Sequence, residues 1–211
     1  QRVGRYAEIT AAQMGLPPEF CERLRLAAAL HDIGKVSIPD AILRKPGPLD
    51  RDEFAVIQRH SAHGAAVCLN PRGSLPAEVE EHCRKGQCLA KAACSPMLIM
   101  AGVIALTHHE RWDGHGYPSR LAGHAIPECA RILSIVDVYD ALTHDRIYRP
   151  ALPEEEVLER MRCGAGSHFD PILLALFFMN LEEIHRIAEE HPDEPGRHGQ
   201  PEHDASAPLR A

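Results

Sequence analysis

Apolar side chains recurring at three- and four-residue intervals mark this chain as a succession of helices. Gln1–Gly15 reads as the first, with Val3, Tyr6, Ala7 and Met14 turned inward. No capping residue precedes it, so this helix is expected to begin upstream of Gln1. Pro17-Pro18-Glu19 opens the next helix, because proline suits a first helical turn, and Phe20, Leu24, Ala27 and His31 share one face of it. Lys35–Leu49 is a loop rich in proline, long enough to fold over a site. Asp50, with Glu53 three residues later, has the form of a capped helix start. In the helix that follows, Ile57, His60, Gly64 and Val67 lie on one side and His63 falls off it. Ser95-Pro96 starts a helix with the stripe Leu98, Ala101, Ala105 and His108. Pro127–Thr143 places Ala130, Leu133, Asp137 and Ala141 together, and Pro153–Cys163 turns Val157, Leu158 and Met161 inward. Asp170 caps a last helix begun by Pro171, in which Phe177 and Phe178 close the core.

Two segments break this periodicity. Asn70–Ser95 carries Pro71, Gly73, Pro76 and several charges, and is expected to be a surface insertion. His82, Cys83, Cys88 and Cys94 within it lack the paired spacing of a zinc ribbon. From about His191 the chain is polar and proline-rich, a composition expected to be disordered.

Composition narrows the function classes. With 211 residues, 45% of them hydrophobic and 25% charged, the chain can bury one full core. A net charge of -7 argues against a general nucleic-acid-binding surface. A small anion needs only local positive charge or metal, and stays open. No apolar run reaches the length of a membrane span, and no signal peptide is legible. Seven cysteines at irregular spacings do not make a disulfide framework, so a reducing cytoplasm is the expected location. The unusual count is 14 histidines, several of them on apolar helix faces.

The organising stretch is Leu26–Leu43, LAAALHDIGKVSIPDAIL. His31 and Asp32 offer an imidazole nitrogen and a carboxylate able to bridge two ions. Gly34 is expected to let the backbone leave the helix, and Lys35 brings a cation to where a phosphate would sit. Further inward candidates are His60, the adjacent pair His108 and His109, and Asp137, each predicted on a helix. An isolated Asp137 in its apolar surroundings would tend to protonate, whereas a metal would keep it ionised. Four nitrogens and two carboxylates suit iron, manganese or a similar divalent ion better than structural zinc. Two such ions bridged by Asp32 are a usual arrangement for cleaving a phosphoester. Tyr117 offers a flat surface for a base, Trp112 a packing anchor, and Arg146 and Arg149 a cationic rim.

The motifs HDIGK (31–35), KPG (45–47), HHERWDGHGYP (108–118), VDVYDALTHDRIYRP (ending at Pro150) and FDP (169–171) are similar to those of the HD-GYP family. This family is a branch of the HD superfamily of metal-dependent phosphohydrolases. The resemblance implies an all-α, compact helical bundle with a metal centre in its core. Residues 1–180 would form the phosphohydrolase domain, with 70–95 inserted, and 181–211 would be a helix end and a disordered tail. It implies hydrolysis of cyclic di-GMP to pGpG, and often on to GMP, in bacterial signalling. The metal ligands would be His31, Asp32, His60, His108, His109 and Asp137. Asp32 and Lys35 would serve catalysis, while Lys35, Arg146 and Arg149 would grip phosphates and Tyr117 would contact a guanine.

Two divalent ions, iron or manganese, are the expected cofactors. Some members add a third through a Glu and a His preceding the segment matching Arg2-Val3. The visible chain does not support that ion. His60-Ser61 stands where the family commonly has His-Pro. An N-terminal regulatory domain outside this chain is the expected partner, and a homodimer is a further expectation; no DNA or RNA polymer is expected. Two alternatives stand beside this reading. One is hydrolysis of another cyclic dinucleotide or a nucleotide. The other is a silent cyclic di-GMP-binding module, against which the intact ligand set speaks.

Overall fold

The central helix of the bundle is apolar on every side. Met100 through Thr107 are all buried in α5 (Pro96–Thr107), so the stripe anticipated from the sequence becomes a complete apolar sheath. In this computed structural model, residues 2–69, 95–145 and 150–191 are described. The Cys-containing insertion, except Ser95, the arginines at 146 and 149, and the tail from 192 lie outside them.

Before α5 in the chain come α1 (Arg2–Gln13), α2 (Pro18–Ala28), a 3₁₀ turn (Ile33–Ser37), the one-turn α3 (Asp40–Leu43) and α4 (Arg51–Leu69). After it come α6 (Glu128–Thr143), α7 (Glu154–Cys163), α8 (Pro171–Phe178) and α9 (Leu181–Glu190). No strand occurs among the described residues, and the fold is all-α. Helices α4 and α5 form the most extensive pair, with α1 against α2 next. The main core is built from Tyr6, Leu24, Ile104, Ile132, Leu133, Phe169, Phe177 and their neighbours. No helix among the described residues is long and apolar enough to cross a membrane.

Local chemistry explains the helix starts. The Asp50 side chain accepts the amides of Asp52 and Glu53 at 2.9 Å each. Glu53 returns a bond to the Asp50 amide at 2.9 Å, closing a reciprocal capping box. Ser95 caps α5, and Asp170 caps α8 through the amides of Ile172 and Leu173. The helix anticipated from Pro171 is two helices, because the chain turns at Met179-Asn180 and restarts at Leu181. Ile184 and Ile187 of α9 enter the same core.

Candidate metal centre

Four elements supply the polar side chains that meet at one end of α5. His31 and Asp32 occupy the turn after α2, while His60 projects from α4 and Asp137 from α6. His108 is the C-cap of α5 and His109 follows it. Of the six, then, only His60 and Asp137 lie within helices; the other four sit just past helix ends. There the backbone leaves the helical path, so adjacent side chains can converge instead of diverging by about 100°.

Asp32 is the hub. Its Oδ1 lies 3.4 Å from His60 Nε2 and 3.8 Å from His108 Nε2. Its Oδ2 lies 3.2 Å from His31 Nε2 and accepts a 2.7 Å bond from Lys35 Nζ. His31 Nε2 stands 3.5 Å from Asp137 Oδ1, and the Nε2 atoms of His60 and His109 are 3.2 Å apart. One ligand atom from each of Asp32, His60, His108 and His109 falls within 4.8 Å of the others. All six expected side chains are therefore in one cluster.

The histidines are oriented from behind. A carbonyl can only accept, so each Nδ1 facing one carries the proton. His31 donates to Ala28 O at 2.7 Å, His60 to Ile57 O at 2.7 Å, and His108 to Ile104 O and Ala105 O at 3.0 and 3.1 Å. That tautomer turns the Nε2 lone pairs of the neutral rings toward Asp32, the arrangement that metal-ligating histidines use. His31 Nε2, His108 Nε2 and Asp32 Oδ1 are buried with no hydrogen-bond partner. Such orphaned atoms are costly unless something binds them.

Electrostatics follow the same geometry. Burial drives the pKa of His108 down to about 3, with the His31 charge adding to the effect. Burial also lowers His60 and, more strongly, His109, so these rings are neutral and ready to ligate. His31 goes the other way. Burial opposes its charged form, but Asp32 and Asp137 outweigh burial and raise it well above the usual range. Against the cost of burial, His31 and Lys35 hold Asp32 well below the carboxylate range. The cluster thus draws positive charge into the space between two carboxylates. Its donor set and orphaned atoms fit divalent cations.

Around this centre the loop 108–121 closes on itself. The Tyr117 ring stacks on the His109 imidazole with centroids 4.7 Å apart and planes at 24°, and Phe54 meets Tyr117 edge-on. One face of Tyr117 is thus against His109, a packing role the sequence did not indicate. Trp112 is an anchor, as expected: its amide donates to His168 O at 3.0 Å and the Arg131 guanidinium sits over its ring. Lys45 of the KPG motif donates to Glu53 at 2.6 Å, tying that loop to the start of α4. His63 pairs with Ser37 at the surface. Asp140 accepts a bond from Arg2 at 2.8 Å, which anchors the start of α1 to α6.

Sequence reasoning passed over Glu110, His168 and the Arg131–Asp170 pair. All are buried or nearly so, and Arg131 Nη1 lies 2.6 Å from Asp170 Oδ2. A signal was present for Glu110: it is an acid three residues past an apolar helix, ahead of a loop whose amides need an acceptor.

Comparison with known proteins agrees with this geometry. The family profile described as the HD domain matches residues 1–173. A cyclic di-GMP phosphodiesterase of Vibrio cholerae is 40% identical over 178 residues, covering 84% of this chain and 33% of that protein. A 3'3'-cGAMP-specific phosphodiesterase 2 of the same species is 37% identical, covering 92% of this chain and 33% of the relative. A cyclic di-GMP phosphodiesterase of Thermotoga maritima is 33% identical, over 94% and 48% respectively. The chain thus spans a third to a half of the length of these curated relatives. Among solved structures, an HDG"Y"P protein of Bdellovibrio bacteriovorus matches with a TM-score of 0.58 at 18% identity, over 85% of this chain and 50% of its own. The bundle, the ordered motifs and the profile converge: the chain belongs to the HD domain family, in its HD-GYP branch.

Proposed function

We propose that this chain is the catalytic part of a metal-dependent phosphodiesterase that hydrolyses cyclic di-GMP to pGpG. The observation that carries the reading is the convergence of six ligand-type side chains with Nε2 and Oδ1 atoms buried and unsatisfied. The names of the relatives at 33–40% identity support the reaction class. His31, Asp32, His60, His108, His109 and Asp137 would hold two divalent ions, iron or manganese. Bound there, such ions supply an activated water and offset charge on the phosphoryl oxygens.

The remaining work falls to the chain itself. Asp32 presents one oxygen to each half of the cluster and so couples them. Lys35, held beside it at 2.7 Å, brings a fixed ammonium to the site and offsets charge growing on a phosphodiester. Tyr117 would contact a substrate base with the face turned away from His109. The arginines at 146 and 149 complete the phosphate-binding rim in this reading. Residues 1–180 form the working unit, in a cytoplasmic protein governed by a regulatory domain ahead of this chain and able to pair as a homodimer.

A second substrate, 3'3'-cGAMP, is favoured by the relative specific for it at 37% identity. The test is product chromatography with each cyclic dinucleotide after loading with Fe2+ or Mn2+. Cyclic di-GMP should be turned over faster, and Asp32→Ala should abolish turnover and lower bound metal while leaving helical content near wild type. Full activity in that variant would remove the proposed centre, and faster turnover of 3'3'-cGAMP would transfer the assignment to that substrate.

A further inference from the structure

His109 is oriented differently from its three neighbours. His31, His60 and His108 each donate Nδ1–H to a carbonyl of the preceding turn. Among the described residues no carbonyl takes that part for His109, whose Nε2 faces His60 and whose flat side lies on Tyr117. A ring without a rear hydrogen bond depends on packing for its plane. The His109 ring is held by His108 and His60, with centroids at 3.9 and 5.0 Å, and by Tyr117 at 4.7 Å, and of these three Tyr117 is the contact that the loop supplies.

Glu110 is in a position to fix it. Its carboxylate is buried beneath the loop, with the residue 2% exposed. Oε1 accepts the Ser119 amide at 2.7 Å and Oε2 the Leu121 amide at 3.0 Å. Arg120 between them has a positive φ of 55°, so the loop curls with the amides on either side of it aimed at one carboxylate, as in a nest. Two residues before Ser119, the Tyr117 amide donates to His109 O at 3.2 Å. At Gly116 a Cβ would stand 2.4–2.5 Å from the backbone of residues 109–111, so the loop lies directly on the strip that carries His109 and Glu110. The acceptor at 110 and the ring at 109 are thus opposite ends of one closed unit.

We propose that Glu110 is a positioning residue for the metal centre. By filling the amide nest at 119–121 it holds Tyr117 against His109 and so keeps His109 aimed at the cluster. The inference rests on the metal-centre reading above, and the experiment separates the two. Mn2+ titration by calorimetry, together with the visible spectrum of the Co2+ form, is run on the wild type, Glu110→Gln, Tyr117→Leu, the double variant and His109→Ala.

In Glu110→Gln an NH2 replaces an oxygen that faced amide donors, with little change in volume. The expected result is one ion bound within threefold of wild type and the second weakened ~10- to 100-fold, as for other residues that orient ligands. The Co2+ spectrum should shift toward that of His109→Ala. Tyr117→Leu should give the same pattern, and the double variant should be no worse than the poorer single one, because both act through one ring. A wild type that binds no ion would overturn the metal reading itself. A wild type that binds two, with Glu110→Gln and Tyr117→Leu matching it, would overturn only the role of Glu110. Should Glu110→Gln fail to fold, Tyr117→Leu decides: normal affinity for both ions there sinks the proposal.

Discussion

A Cβ placed on Gly34 would stand 1.9 Å from His60 O and 2.5 Å from the Gly64 amide nitrogen. The sequence explained this glycine by backbone freedom, yet its φ is not among the positive values. Its real constraint is contact: the turn carrying His31, Asp32 and Lys35 rests directly on the backbone of α4, which carries His60. Gly64 completes the contact from the other side, where an added Cβ would meet Ala105 Cβ at 3.0 Å and Gly34 N at 3.3 Å. The two glycines should therefore respond differently to alanine. Gly34→Ala forces backbone away from backbone and should cost about 3 kcal/mol or more, at the upper end of overpacking penalties. Gly64→Ala needs its neighbours to give by only a few tenths of an ångström and gains about 1 kcal/mol of helix propensity, so it should cost clearly less than Gly34→Ala. Urea midpoints of the two variants measure this. Equal costs would show that close approach is not what selects glycine at 34.

At the scale of elements, the loop bearing the histidine pair is pinned by the segment that opens α8. Trp112 N donates to His168 O and Asp113 N to Ser167 O, at 3.0 and 2.9 Å. Asp170 caps α8 with one oxygen and holds Arg131 with the other, and Arg131 in turn covers Trp112. His168 lies buried in this junction, stacked on Phe169, with its Nδ1 unpartnered. Burial lowers its pKa to about 4, with Arg111 adding to the effect. A depressed pKa means that the unfolded chain, titrating near 6.5, takes up the proton first. The contribution is therefore complete above pH 6.5 and is lost as pH falls toward 4. At 1.36 kcal/mol per unit the full effect is on the order of 3 kcal/mol. His168→Phe keeps the stack and removes the proton site, so its stability should fall less steeply than wild type between pH 6.5 and 4. Chemical denaturation in EDTA at several pH values tests this, and parallel profiles would exclude His168. The FDP motif was legible in sequence as a cap and a helix start. Its tie to the histidine loop was not, because a bond such as Trp112 N to His168 O spans more than fifty residues and leaves no periodic trace.

For the whole molecule, what sequence could yield divides along the same line. Periodicity and capping chemistry located the long helices, since both are local, but they left α3 unseen inside the expected loop 35–49 and ran past the break before α9. Motif order brought together the six side chains from His31 to Asp137. The tautomers, the hub position of Asp32 and the reliance of His109 on Tyr117 needed three dimensions. That separation in sequence has a thermodynamic consequence. His31–Asp32, His60, His108–His109 and Asp137 come from four segments that meet only in the folded state, so an unfolded chain cannot reproduce the site. Ions bound there stabilise the native state alone, by about 2.7 kcal/mol each at a hundredfold excess over Kd. For a domain of this size each kcal/mol moves Tm by roughly 2–4 °C. Stripping with EDTA should therefore lower Tm by about 5–10 °C per ion, and Mn2+ should restore it. In Asp32→Ala the EDTA-sensitive part of Tm should largely vanish, because both halves of the cluster lose their shared carboxylate. Differential scanning calorimetry of the loaded, stripped and reloaded protein measures the effect, and a Tm indifferent to chelation would mean that these four segments meet for a reason other than holding cations.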